Sequence, residues 1–195
     1  MQFILASQSP RRKILLEKLN IDFKIIAPNI KEKNIKVEYE SPSKYCIKLA
    51  NEKCKSISKL YTNHIVIGAD TIVYLNNKIF NKPKNKLDAI NQLTSLSNNT
   101  HVVYTGVSII SVNKNIDLCF YDKTYVTFNK LSKYDIEHYI SLHNPMDKSG
   151  SYGIQDWSAV FVKKINGCYN NVIGFPLSKF YKLCVQNKII KFKNE

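Results

Sequence analysis

The chain opens on an unbroken apolar run, Phe3-Ile4-Leu5-Ala6, then turns polar at Ser7-Gln8-Ser9. The run reads as a buried strand. Apolar positions at Ile14, Leu15, Leu16 and Leu19 then follow helical spacing. Ser9 suits the N-cap of that helix, and Pro10 suits its first position, where a missing donor costs nothing. Asp22 to Ala27 alternates as a second strand, so the opening is β-α-β. Ser41-Pro42 marks another helix start, running to about Leu60. Its apolar stripe is Cys46, Leu49, Ala50, Cys54 and Ile57, with Lys53 beside the stripe at its edge. Ile65 to Leu75 is a long strand rich in β-branched residues, closed by a hairpin turn at Asn76-Asn77. Beyond Lys82-Pro83 a helix is predicted with Leu87, Ile90, Leu93 and Leu96 on one face. His101–Val112 and Ile116–Phe128 read as antiparallel strands around Asn113-Lys114-Asn115. Ser132 and Asp135 form a capping box for a helix to about His143. Ala159–Ile165 reads as a strand, and Asn170 to Leu177 leads into a last helix ending near Asn187.

Strand-helix-strand units mixed with long hairpins predict an α/β protein with a mixed sheet in two lobes. Residues 1–195 suit a single domain, and 44% apolar residues suffice for its core. No apolar run approaches the roughly 20 residues of a membrane span. The N-terminus lacks a signal peptide's layout. A soluble, cytoplasmic protein without a membrane partner is expected. Five scattered cysteines without a Cys-x-x-Cys pair predict reduced thiols, and the four histidines show no metal-ligand spacing. The net charge of +14 raises a nucleic-acid partner. The lysines, however, are spread along every segment among Asn and Ile, with no basic stripe interleaved with aromatics. An anionic small substrate suits the charge better, and no nucleic-acid partner is expected.

Only two of the 29 basic residues are arginines, and they are adjacent, Arg11 and Arg12. They fall in the first helical turn, where the helix dipole favours acids. A planar fork grips phosphate or carboxylate with two hydrogen bonds, which lysine cannot do. With Ser7 and Ser9 at a strand-to-helix turn, they form a candidate polyanion site; the plain alternative is a solvated helix face. A second signal is Gly68-Ala69-Asp70-Thr71, where an apolar strand reaches small residues and then an acid. Ligands of open α/β sheets bind beyond the carboxyl ends of strands. A third is the irregular stretch 144–156, holding Lys148, two glycines and the apolar Ile154, which reads as buried. Lys53, Lys82 and Lys148 are further candidate phosphate ligands. Asp70 and Glu32 are candidate metal ligands, suited with water to Mg²⁺ or Mn²⁺. Neither a Walker motif nor a dinucleotide fingerprint is present. The residues alone therefore point to metal-assisted chemistry on a phosphorylated ligand.

Six stretches in order sharpen this. They are Leu5-Ala6-Ser7-Gln8-Ser9-Pro10-Arg11-Arg12, Leu49-Ala50-Asn51-Glu52-Lys53, Gly68-Ala69-Asp70-Thr71, Lys82-Pro83, Asp147 to Gln155, and Asn171 to Leu177. Together the chain resembles the Maf family of nucleoside triphosphate pyrophosphatases. The resemblance implies an inosine-triphosphatase-like fold: an elongated mixed sheet with flanking helices, its two lobes around a central cleft, often as a homodimer. It implies hydrolysis between the α- and β-phosphates with a divalent cation, releasing pyrophosphate. Asp70 matches the proton acceptor, and Arg11, Thr71 and Gln155 match positions tied to substrate choice. Tyr152-Gly153-Ile154-Gln155 is similar to the subgroup acting on dTTP and UTP. The alternatives are a 7-methyl-GTP or other non-pyrimidine substrate, or a nucleotide-binding regulator without turnover. The chain departs from the family pattern at Asn144 (usually Glu), Ser149 (Ala), Phe175 (Leu) and Lys31-Glu32, where two acids are usual.

Overall fold

A long strand that outlasts its first neighbour sets the architecture. The computed structural model describes residues 2–30 and 41–190. Strand β1 (Phe3–Ala6), helix α1 (Pro10–Glu17) and strand β2 (Phe23–Ile25) form the opening β-α-β unit. Helix α2 (Pro42–Ser58) leads to β3 (Ile65–Leu75), and a tight turn leads to β4 (Lys78–Phe80). Helix α3 (Lys86–Leu96) precedes the hairpin of β5 (Thr100–Ser111) and β6 (Ile116–Phe128). Then come α4 (Lys133–Leu142), β7 (Val162–Asn166), α5 (Tyr169–Ile173) and α6 (Leu177–Gln186).

One seven-stranded sheet runs β2-β1-β3-β5-β6-β7, with β4 also on β3. The pairs β1–β2 and β1–β3 are parallel, and the remaining pairs are antiparallel. Strand β1 covers β3 only from Ile65 to Gly68. Strand β4 covers the same edge from Val73 to Leu75, because β5 already occupies the opposite edge there. Between them, at Ala69 to Ile72, that edge has no strand partner among the described residues. The Ser149 hydroxyl fills part of the gap by donating to the Thr71 carbonyl at 2.7 Å.

The two faces of the sheet bury different clusters, as the two-residue strand period requires. Ile4, Ala6 and Val66 face α2 and meet Cys54 and Ile57. Phe3, Leu5, Ile65, Ile67 and Ala69 face the larger core, built with Leu15, Leu16, Leu93, Phe128, Phe161 and Phe180. Helix α2 lies almost on the backbone of the sheet. A Cβ added at Gly68 would stand 2.3 Å from the Ala50 carbonyl oxygen, and one at Gly106 would stand 2.5 Å from that of Cys46. Small residues at Cys46, Ala50 and Cys54 make this approach possible, and all three are fully buried.

The mixed α/β fold with flanking helices agrees with the sequence expectation, and several element assignments are corrected. Ser9 is at the N-cap of α1, but its side chain makes no capping hydrogen bond. Leu87 does not join the buried stripe of α3 and is 66% exposed, because it lies in the first turn, before the helix reaches the core. Residues 157–161 form a 3₁₀ turn capped by Asp156, not the start of a strand; the strand begins at Val162. The last helix agrees with its expectation, but the lead-in to it holds a further short helix, α5, closed where Gly174 adopts φ 120°. All five cysteines are free thiols. Among the described residues no helix is long and apolar enough to cross a membrane.

Gly106→Ala forces a Cβ into helix backbone that cannot yield as a side-chain tip does. Overpacking of this kind typically costs about 1–3 kcal/mol. Urea denaturation is expected to show a loss of at least that size, with Gly68→Ala behaving alike.

Candidate active site

Asp70 lies two residues beyond Gly68 on β3 and directly opposite Gly106 on β5. That places it on the face covered by α2. Lys53, one helical turn beyond Ala50's neighbour Leu49, reaches it: Nζ donates to Asp70 Oδ1 at 2.5 Å. Both side chains are close to nine-tenths buried. Lys53 thus stands under the helix rather than at the edge of its apolar stripe. A charge taken out of water needs a partner of opposite sign, and these two supply each other's.

The polar turn after β1 faces the same space. Ser7 Oγ accepts from the Ser9 backbone N–H at 3.1 Å and from Arg12 Nη1 at 3.3 Å. With both lone pairs engaged, the Ser7 hydroxyl proton remains free to donate. Helix α1 begins without a side-chain cap and without an acid in its first turn. An uncapped helix start with basic side chains is an anion site.

The two arginines point to different partners. Arg12 is held within the protein: Nε donates to the Gly174 carbonyl at 3.0 Å and Nη2 to Thr71 Oγ1 at 3.1 Å. With the bond to Ser7 it ties α1 to β3 and to the end of α5. Arg11 reaches out to the 144–156 stretch. Its Nη1 donates to Asp147 Oδ2 at 2.7 Å, and its Nη2 to the Asp147 carbonyl at 3.1 Å. Lys148 donates to Asp147 Oδ1 at 3.0 Å and lies 3.7 Å from Asp156 Oδ2. Burial alone would push the Asp147 carboxyl up. Hydrogen bonds and charge from Arg11 and Lys148 outweigh it and hold the group below the ordinary value of 3.8.

These groups line one cavity of about 680 Å³, a volume typical of small-ligand sites. Ser7, Ser9, Arg11 and Arg12 form one wall. Lys53 of α2 and Asp70 and Thr71 of β3 line it as well. Lys82, Lys148 and the exposed Gln155 come from the later loops. Each site residue singled out from sequence that the structure describes therefore belongs to one cavity; Glu32 lies outside the described residues. Asp147, Lys84 and Tyr152 line the cavity as well; Asp147 and Tyr152 lay within the family-like stretches but were given no role of their own. The role of Asp147 follows from its contact with Arg11, 136 positions away. Tyr152 is backed by the buried His101, whose Nε2 lies 2.8 Å from the tyrosine oxygen. Burial lowers the His101 imidazole to about 3, so it is neutral. Among the described residues no three His, Cys, Asp or Glu side chains converge as a metal cluster.

The family model described as Maf-like protein matches residues 2–187. The chain belongs to the Maf-like family. A relative from Thermosipho melanesiensis is 47% identical over 97% of this chain and 100% of its own length. One from Clostridium botulinum (strain Kyoto) is 44% identical, covering 94% of this chain and 95% of the relative. One from Bacillus cereus (strain Q1) is 44% identical, with 93% of each chain covered. All three are named dTTP/UTP pyrophosphatase. Among solved structures, a HAM1 protein from Coxiella burnetii is similar in fold, with a TM-score of 0.52 at 11% identity. That match covers 95% of this Maf-like chain and 99% of the other.

The Asp147 bridge sets a pH signature. A carboxyl lowered in the folded state contributes stability above its ordinary value, and the contribution is lost as pH falls through the folded value. In a ¹³C carboxyl titration, Asp147 is expected to titrate below 3.8. Its midpoint is expected to rise in Arg11→Ala; an unchanged midpoint would remove Arg11 as the cause.

Proposed function

We propose that this Maf-like protein hydrolyses the bond between the α- and β-phosphates of dTTP or UTP, releasing the monophosphate and pyrophosphate. The observation that carries the reading is the buried Lys53–Asp70 pair lining a cavity whose walls are built for anions. Relatives similar over nearly their whole length and named for that activity support it.

In this reading the triphosphate lies across the start of α1. Ser7 donates its free hydroxyl proton to a phosphate oxygen, and the open helix start supports the same charge. Arg11, Lys82 and Lys148 compensate the outer phosphates, with Arg11 and Lys148 exchanging Asp147 for substrate oxygens. Arg12, bonded to Ser7, Thr71 and Gly174, keeps that wall in place. Asp70, oriented by Lys53, takes a proton from water as the water oxygen attacks the α-phosphorus. The bond from the α-phosphorus to the bridging oxygen breaks, and its electron pair leaves with pyrophosphate. Gln155 reads a pyrimidine edge, since its amide both donates and accepts.

A divalent cation fits this donor set. Mg²⁺ and Mn²⁺ are commonly held by one or two carboxylates together with substrate phosphates and waters. Asp70 would hold it here, with Glu32 as the second carboxylate. When bound, the cation withdraws charge from the phosphate oxygens.

The test is pyrophosphate release from a panel of nucleoside triphosphates with Mg²⁺ or Mn²⁺. Turnover of dTTP and UTP above purine triphosphates is expected. Asp70→Asn is expected to lose about 10²–10⁴-fold in rate, the usual cost of a positioned general base. Binding without release would favour a regulator, and preferred release from 7-methyl-GTP would reassign the substrate.

A further inference from the structure

Thr105 is fully buried on β5, directly opposite Thr71 on β3. It is not among the residues lining the cavity. Its hydroxyl donates to the Asn171 carbonyl at 3.1 Å and lies 3.0 Å from Thr71 Oγ1. A hydroxyl has one proton. With the Thr105 proton committed to Asn171, the bond between the two threonines must be donated by Thr71. Thr71 in turn accepts from Arg12 Nη2 at 3.1 Å. The hydrogen bonds therefore run one way, from Arg12 through Thr71 and Thr105 to Asn171.

This direction has a consequence for the cavity. The proton of Thr71 is turned away from it. Of the two lone pairs on Thr71 Oγ1, Arg12 takes one, and the other is left for a ligand. Thr71 therefore meets a ligand as an acceptor and not as a donor. The competing acceptor for its proton, the Gly174 carbonyl, is farther away, at 3.4 Å against 3.0 Å to Thr105.

We infer that Thr105 is a positioning residue: it fixes the hydroxyl of Thr71 as an acceptor and so holds Arg12 in register at the ligand wall. The inference rests on the proposed triphosphate site. Thr105→Val keeps the shape and removes the relay. The Asn171 carbonyl keeps a bond from the Gly174 N–H at 3.0 Å, so the variant leaves no orphaned acceptor there. Thr71 then donates to the Gly174 carbonyl, in competition with Arg12 Nε, or into the cavity.

Two readouts test this. In UTP hydrolysis, Thr105→Val is expected to raise KM about 3- to 10-fold, the range set by one net hydrogen bond, with little change in kcat. Thr105→Ser, which keeps the hydroxyl, is expected to restore it. In a Thr71→Val background the Thr105→Val effect is expected to vanish, because the relay is already cut. Equal effects in both backgrounds would overturn the inference. The second readout does not need activity. With only two arginines in the chain, ¹⁵N-edited NMR resolves the Arg12 Nε–H signal. It is expected to be protected in the wild type and Thr105→Ser, and shifted and faster in solvent exchange in Thr105→Val. An unmoved signal in Thr105→Val ends the relay whatever the enzyme does. No pyrophosphate release by the wild type, with the Arg12 signal still shifted in Thr105→Val, would instead end the triphosphatase reading alone.

Discussion

The site depends on a helix pressed onto sheet backbone. Gly68 and Gly106 leave room for α2 at distances no Cβ would tolerate. Lys53 is thereby brought down to the level of the strands, where it meets Asp70. Removing either partner of such a pair leaves an uncompensated charge in a poorly hydrated place. The same geometry leaves a cavity above them. Strand β1 stops opposite Gly68 and β4 begins opposite Val73, so the stretch of β3 that carries Asp70 is open on one edge. An open α/β sheet binds ligands where a strand ends and its neighbour continues, and that is what the β1–β3 pairing produces here.

The adjacent arginines divide the work of closing this space. Two cations in the first turn of a helix oppose its dipole. Each is compensated from the far end of the chain. Arg12 meets the carbonyl of Gly174, which closes α5 and so belongs to the negative end of a helix. Arg11 meets Asp147. One guanidinium organises the wall from inside, and the other bridges to a loop at the rim. A lysine in place of Arg12 could not hold Gly174, Ser7 and Thr71 together, since it lacks the planar fork.

Much of this was legible from residue order. The β-α-β opening, the α2 stripe and the β5–β6 hairpin follow from periods of 3.6 and two, which any chain with a buried face must obey. Ser7, Arg11, Arg12, Asp70 and Lys148 stood out because their types and settings imply anion chemistry, whereas Gln155 came only from the family resemblance. Where the reading strayed, the cause is a contact rather than a period. Leu87 fits the stripe of α3 but precedes the point where the helix reaches the core. Ala159 to Phe161 is apolar enough for a strand, but Asp156 caps a 3₁₀ turn there. Residues 169–173 read as a lead-in to the last helix but close into a short helix of their own, ended at Gly174.

By itself, then, the chain determined which elements form, the face each buries and the kind of ligand its polar turns suit, because these depend on neighbours within a few positions. It did not determine that Lys53 lies under its helix against Asp70, that the two arginines diverge, or that Thr105 orders a hydroxyl facing the cavity. Those follow from pairings across 17 to 162 positions. Backbone approach at two glycines, and the ends of β1 and β4, decide which side chains come within hydrogen-bonding range. Only the folded sheet supplies that geometry.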